Sequence, residues 1–393
     1  MPSRQPFPDL TRAVALFGIG VVNVFLFAQP LTASFGLDDQ SSPLDIGALF
    51  LVSALFVSKS YTLFAFMFGA GVGQQMQTAA ADGTSFSARH ARRMLGLILL
   101  GLLNIWLLFY GDILIVYGLL GFLLILFCGL SAPALRRWAI VIYSIQVLFF
   151  LLCSGICWAL DVLAPEEAAK ALAELDAEAA RRTTGFSAAA FSIVAATRFA
   201  AWATDMPLVL AQVGLGFLAF MLFGLSALKS GALENLDAPI WSRSRRVFLP
   251  LGMVISAWGA WHIVQSESLF DPTFMWGYTL ITIGAPFSTM GYLGWLAFWS
   301  RGPGSALRGF LARAGGGSLT AYLLQGLLMS LVFCGYGLGL YGLSSAAAVV
   351  LIGSAAAVVS LLFVGWWRGR HALGPVETLL RRWVYLGGQH TRS

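Results

Sequence analysis

The chain has 393 residues, 58% hydrophobic and 11% charged, with a mean hydropathy of +0.80 and a formal net charge of +6. An ordinary soluble domain is about 25% charged, so there is too little charge here to solvate a globule of this size. That excludes a water-soluble enzyme and points to an all-α, polytopic membrane helix bundle with about ten transmembrane helices and both ends inside.

In chain order, the apolar runs predict spans at 10–29, 46–77, 90–110, 112–130, 135–160, 206–228, 246–265, 272–299, 316–336 and 344–366. About 20 residues at 1.5 Å rise cross a hydrocarbon core of ~30 Å. The first run has no small-residue cleavage site before Gln29 and Pro30, which predicts a retained helix and not a signal peptide. The second run is too long for one straight span and predicts a break or a strong tilt around Phe56 to Tyr61.

Linker charges set the sides. Arg89, His90, Arg92 and Arg93, then Arg136 and Arg137, then Lys229, Arg243, Arg245 and Arg246, then Arg301, Arg308 and Arg313, and last Arg368, Arg370, Arg381 and Arg382 fall on alternate linkers. Those linkers are predicted to be cytoplasmic. The opposite set carries Asp38, Asp39 and Asp45, later Glu267 and Asp271, and no charge over 335–345. The positive excess is therefore a matter of topology, and no nucleic-acid partner is expected.

The organisation predicted is a single membrane domain over 1–393: five helices in 1–160, an extracytoplasmic helical segment over 161–205, and five more helices with a cytoplasmic tail in 206–393. The segment opens with Pro165, Glu166 and Glu167 and is Ala-rich to Arg181 and Arg182, the pattern of a helix in water. From Phe186 to Trp202 it suits an interfacial helix on the outer leaflet or capping a vestibule, with a solvated connector as the alternative. Cys128, Cys153, Cys157 and Cys334 all fall within predicted spans, so neither a disulfide framework nor a metal site is expected. The abundant glycine permits close helix approach and suits a homodimer.

Ionisable groups inside a bilayer cost at least about 2.5–3.5 kcal/mol on insertion scales, so they are site candidates by default. Asp9 and Arg12 open the first span on one face, and Asn23 lies deep in it, as helix–helix glue or as a site group. Lys59 falls in the long second run, where a snorkelling role near the outer interface is the alternative to a substrate contact. Asp112, in the tight Tyr110-Gly111-Asp112 turn, is placed to cap the next helix or to serve a site. Asn104, Gln212 and Gln325 are further buried amides, and His262 is the histidine well inside a span. Neither a metalloprotease HExxH nor a phosphate loop is present; the glycines from Gly69 to Gly73 lack the strand context of a nucleotide fingerprint.

Four segments carry a resemblance: Asp9 to Asn23; Lys59 to Gly69; Tyr110 to Leu114 with Tyr117; and Leu319 to Gln325, followed by Gly335 to Gly342 and Gly374-Pro375-Val376-Glu377. Together they resemble the YeiB family of bacterial inner-membrane proteins, a group defined largely as a domain of unknown function. This chain departs from the family pattern at Ala13, where Gly is usual, at Asn104, where His is common, and at Gly316 and Ala321, where Arg and Asn are usual. The family is similar, more remotely, to transmembrane acyltransferases, which share a ten-helix core with an Arg early in the first span. In one such group a catalytic His follows that Arg after ten intervening residues; from Arg12 that spacing reaches Asn23.

The resemblance implies transfer of an acyl group from cytoplasmic acyl-CoA to an extracytoplasmic small-molecule or glycan acceptor, at the bacterial inner membrane. Arg12, Arg89, Arg92 and Arg93 would then hold the CoA phosphates, Asn23 would steady the oxyanion, and Asp112 or His262 would accept the proton. Lys59, Asn104, Tyr322 and Gln325 would contact substrate. The alternative is a transporter, or a membrane protein that binds lipid or a small molecule, using the same cavity without chemistry. Membrane lipids are partners in either case.

Overall fold

The computed structural model describes residues 6–31, 35, 41–266 and 271–385. Asp38, Asp39 and Glu267, used above to place the outer side, lie outside the described residues. The helices are α1 (Phe7–Ala28), α2 (Pro43–Leu55), α3 (Lys59–Ala81), α4 (Phe86–Leu107), α5 (Leu114–Leu124, prolonged by a 3-10 turn to Phe127), α6 (Ala132–Leu163), α7 (Pro165–Phe186) and α8 (Phe191–Lys229). They continue as α9 (Pro239–Arg243), which runs through a π-helical turn into α10 (Leu249–Ile263), then α11 (Pro272–Arg301), α12 (Ala306–Gly315), α13 (Ser318–Phe333), α14 (Ala346–Arg368) and α15 (Pro375–Val384). Among the described residues, six helical stretches are long and apolar enough to cross a membrane, and up to seven if α12 and α13, bent by 82°, count as one. The all-helical, multi-pass membrane character read from composition is what the chain has.

Burial sorts the helices by position. The apolar stretch of α1 is 78% buried within the protein and that of α6 only 28%, so α1 forms the centre and α6 turns its face outward, as the exposed Ile140, Leu148, Leu152 and Ile156 also show. Around α1 stand α3, α11, α12, α13 and α14.

Helices α3 and α8 meet at backbone contact. A Cβ on Gly69 would collide with the Met221 carbonyl, and one on Gly224 with the Phe66 carbonyl. Such small-residue contacts are how membrane helices approach closely. Gly69→Val is expected to destabilise the purified protein by about 1–3 kcal/mol through overpacking, read as a lowered apparent melting temperature. An unchanged value would show that the two helices separate freely.

The long second run breaks as its length predicted. α2 ends at Leu55 and α3 starts at Lys59, with Ser58 at φ +65° between them, a backbone region that costs a non-glycine residue about 1–3 kcal/mol. The N-terminal end of α2 is fixed by Asp45, which completes a capping box with Ser42 and also accepts from Ser345 Oγ at 2.7 Å and Ala347 N at 2.9 Å. One carboxylate thus caps both α2 and α14.

The extracytoplasmic segment needs correction. The Ala-rich helix is present as α7, but 191–205 is no separate interfacial helix: it is the first third of the 39-residue α8, which passes through Pro207 unbroken. The polar Arg198 and Asp205 are both accommodated on α8. Arg182 grips Asp205 with two bonds of 2.7 and 2.9 Å and reaches Glu178 at 2.9 Å, joining α7 to α8. Bonds from Arg182 and then Arg181 hold the Glu178 carboxyl below the usual range. Arg198 is 1% exposed.

Candidate functional site

Two groups of polar residues stand at different heights of α1 and α4. On each helix a cation is followed eleven positions later by an amide, Arg12 by Asn23 and Arg93 by Asn104, a separation of about 16 Å along a helix.

The first group surrounds a cavity of about 310 Å³ at the N-terminal ends of α1 and α4. It is lined by Arg12, Arg89 and Arg93 with His90, by Gln74, Gln75 and Thr78 from α3, and by Val384 at the end of α15 with Tyr385 just after it. The lining contains no carboxylate. Outside it, Asp9 pairs with Arg12 at 2.7 Å and Asp82 approaches Arg89 at 3.9 Å, while Arg93 has no ion pair among the described residues and lies over the Phe68 ring.

Two buried atoms here lack partners: Arg89 Nη2 and His90 Nδ1. The other ring nitrogen of His90 meets the Gly121 carbonyl at 2.9 Å. A carbonyl only accepts, so Nε2 carries the proton and Nδ1 presents a lone pair. An unsatisfied buried polar group costs about 1–3 kcal/mol, so the cavity is suited to a ligand offering an anionic acceptor to the arginines and a donor to His90. Arg92 does not line this cavity. It turns to α15, donating to the Val384 carbonyl at 3.4 Å while its own carbonyl accepts from Trp383 Nε1 at 2.7 Å.

The second group is the core cluster. Asn23, Asn104, Tyr322 and Gln325 line a space of about 10 Å³ together with Gly20, Phe27, Phe109, Gly326 and Met329, room for about one water. Asn104 Nδ2 donates to Asp112 Oδ2 at 2.7 Å. A carboxylate can only accept from that amide, so Asn104 Oδ1 is turned the other way, buried and without a partner. Asp112 Oδ1 accepts from Ile115 N at 3.0 Å, so the carboxylate caps α5 while holding Asn104. Tyr322 Oη accepts from Ile113 N at 3.3 Å, and Gln325 donates to the Leu16 carbonyl at 3.2 Å. Asn23 Oδ1 accepts a short bond from the Tyr61 hydroxyl, which leaves its Nδ2 as the donor.

Between the groups lies an aromatic layer: Phe64 and Phe68 pack edge-on to Tyr117 at 5.5 and 5.1 Å, and Tyr117 and Tyr61 both pack on Phe217. Beyond the core, Phe27 stacks on Phe109 at 4.1 Å, and Tyr110, Phe186 and Tyr341 follow. The hydroxyls of Tyr110 and Tyr341 are buried without partners.

Over nearly its full length the chain is similar to two bacterial proteins. It is 28% identical over 398 residues to the "Uncharacterized protein YxaH" of Bacillus subtilis, covering 97% of this chain and 94% of the relative. It is 26% identical over 389 residues to the "Uncharacterized protein YeiB" of Escherichia coli, covering 95% and 94%. A family model described as "Protein of unknown function (DUF418)" matches residues 227–387. The chain is similar to YeiB and YxaH along nearly its whole length, and the family model matches its C-terminal part. No solved structure matches it.

At Gly316, where Arg is usual in the YeiB pattern, a guanidinium comes from another helix: Arg368 Nη2 lies 3.0 Å from where a Cβ would stand. Two sequence candidates stand apart from both groups. His262 ends α10, its ring beside Trp258, on a helix that packs against α11 and α2. It lines neither space. Lys59 is fully buried at the start of α3, its Nζ donating to the Ser53 carbonyl at 3.1 Å, so it is not a snorkelling surface residue.

Residues that sequence reasoning passed over include His90 as a lining group, Tyr61 as the partner of Asn23, and Arg198. The last donates to the carbonyls of Trp106 at 3.3 Å and Leu107 at 2.9 Å at the end of α4, and to Ser330 Oγ at 2.9 Å and the Tyr336 hydroxyl. Tyr61 and Tyr117 had a signal, since both lie inside segments that carry the family resemblance.

Proposed function

We propose that this chain is an acyltransferase-like protein of the bacterial cytoplasmic membrane, with ten spans and both termini inside, that takes an acyl group from a CoA thioester to an extracytoplasmic acceptor. The ten-span reading adds to the seven candidates the short apolar stretch Leu114–Phe127, the continuous helix over 239–263 and the 30-residue α11. The observation that carries the functional reading is the cavity of Arg12, Arg89 and Arg93, with its unsatisfied Arg89 Nη2 and His90 Nδ1. Its volume is in the range of small-molecule sites. A phosphorylated nucleotide supplies acceptor oxygens for the arginines, with hydroxyl or amine donors for His90.

In this reading the acyl arm passes the layer of Phe68 and Tyr117 by rotation of those rings and brings the thioester carbonyl to the core cluster. The acceptor's oxygen or nitrogen attacks the carbonyl carbon, and Asn23 Nδ2 donates to the oxyanion that forms. Asn104 Oδ1 orients the attacking O–H or N–H, whose proton passes to Asp112. The C–S bond then breaks, the proton goes to the leaving thiolate, and the products are the acylated acceptor and CoA thiol. The acceptor approaches from the side of Tyr110 and Tyr341, whose hydroxyls lack partners.

The test is a thermal shift on detergent-purified, full-length protein with acetyl-CoA, longer acyl-CoAs and free CoA. A ligand at 100 times its Kd adds about 2.7 kcal/mol to the folded state, so the melting temperature should rise, and Arg12→Ala should reduce the rise. No stabilisation by any acyl-CoA at millimolar concentration, with stabilisation by lipids or other solutes, would move the reading to binding or transport.

A further inference from the structure

The Gly374-Pro375-Val376-Glu377 segment lines neither polar group, yet it is bonded to the base of the helix that carries Tyr322 and Gln325, and the helix it opens ends at the wall of the cationic cavity. Glu377 Oε1 accepts from Leu319 N at 2.7 Å and Thr320 N at 3.1 Å, and Oε2 accepts from Thr320 Oγ1 at 2.6 Å. Thr320 Oγ1 in turn accepts from Val376 N at 3.1 Å. These bonds take up free N–H groups in the first turn of α13, which has no side-chain cap of its own. A Cβ at position 374 would collide with Glu377 and stand 2.7 Å from Thr320 Oγ1, so the lock closes only over glycine.

From Thr320, two positions along α13 lead to Tyr322 and five to Gln325, about 8 Å, so the lock sits at the base of the helix that carries two core-cluster residues. The other end of α15 is docked on α4. Trp383 Nε1 donates to the Arg92 carbonyl, Leu380 and Trp383 fill the space over Gly96, and the Arg89 guanidinium stands 5.8 Å over the Tyr385 ring. Val384 and Tyr385 line the cationic cavity directly. Helix α4 carries Arg89 and Arg93 at one end and Asn104 at the other, and α13 brings Gly326 against Asn104.

We propose that α15 is a clasp that couples the two groups: a phosphate-bearing ligand in the cavity seats Tyr385 and Val384, and through Glu377 the seated helix holds α13 with Tyr322 and Gln325 in register with Asn104. This rests on the reading that the cavity binds such a ligand. Glu377 is a positioning residue, acting on Tyr322 and Gln325 through the base of α13.

The experiment is hydrogen–deuterium exchange on the full-length protein with and without coenzyme A, followed over 74–93 in the cavity, 375–385 in the clasp and 318–326 at the base of α13. In the unaltered protein coenzyme A slows exchange in all three, with about a fivefold or larger effect at 318–326, the lower end of a typical coupling. In Glu377→Gln the cavity and clasp keep their response and 318–326 loses it. In Trp383→Ala, a change outside the cavity lining that undocks α15 from α4 and leaves the Glu377 lock intact, the cavity keeps its response while 375–385 and 318–326 lose theirs.

A response at 318–326 that is equal in all three proteins overturns the clasp. So does a Glu377→Gln effect that raises exchange there by the same factor with and without coenzyme A, which is the signature of a purely structural cap. Protection of the cavity with none at 318–326 in the unaltered protein overturns the clasp alone. No protection anywhere overturns the cavity reading, and the clasp falls with it.

Discussion

Arg198→Ala is expected to destabilise the protein by about 2–5 kcal/mol, because it leaves several buried acceptors without a donor at about 1–3 kcal/mol each. The guanidinium is 1% exposed and bonds the last carbonyls of α4, Ser330 Oγ and the Tyr336 hydroxyl. A cation at a helix C-terminus is favoured by the helix dipole. The alanine variant leaves those carbonyls and hydroxyls buried without a donor and opens a cavity the size of the lost side chain. Arg198→Lys keeps the charge but cannot fork between α4 and α13, so it should restore only part of the loss. Because the carbonyls lie two and three residues beyond Asn104, the variant should also loosen the core cluster. Melting of detergent-purified protein checks the prediction, and a shift under 2 °C for Arg198→Ala would show that the network contributes little.

Asp112→Asn is expected to fold and to lose transfer. The asparagine retains one acceptor oxygen for Ile115 N or for Asn104 Nδ2, so the cap is weakened by about 1 kcal/mol, a typical N-cap loss. A general base, by contrast, contributes about 10²–10⁴-fold to a rate. Release of free thiol from acetyl-CoA by protein in its native membrane should fall by that factor, with binding of the donor unchanged. A variant with full thiol release would remove Asp112 from the chemistry and leave it as the carboxylate that caps α5 and holds Asn104.

Much of the site was legible because polarity inside apolar runs is costly and therefore sparse. Asn23, Asn104, Asp112, Tyr322 and Gln325 stood out in sequence, and the fold brings them to one place. The cations of the cavity were legible as a group but not singly. Arg92 and Arg93 are adjacent, and neighbours on a helix point about 100° apart, so only the rotation of α4 decides that Arg93 faces the cavity and Arg92 faces α15.

His262 misled because a helix sequence does not say which neighbours surround it; α10 stands against α11 and α2, away from Asn23. The role of Arg198 was not legible, because the partners that accommodate it come from α4 and α13, 91 and 132 residues away. Glu377 could be seen as part of a segment resembling the family, while its bond to the base of α13 is a property of the folded chain alone.

The measurement that bears most directly on the central claim is the Kd of coenzyme A, by calorimetry, for the unaltered protein and for Arg93→Ala. Arg93 lines the cavity, has no ion pair among the described residues, and would meet a phosphate with charge-assisted bonds. Such bonds contribute about 1.5–3 kcal/mol each, so the variant should bind about 10- to 150-fold more weakly. Equal affinity in the two proteins, or no heat in either, would contradict the assignment of this cavity to the acyl donor.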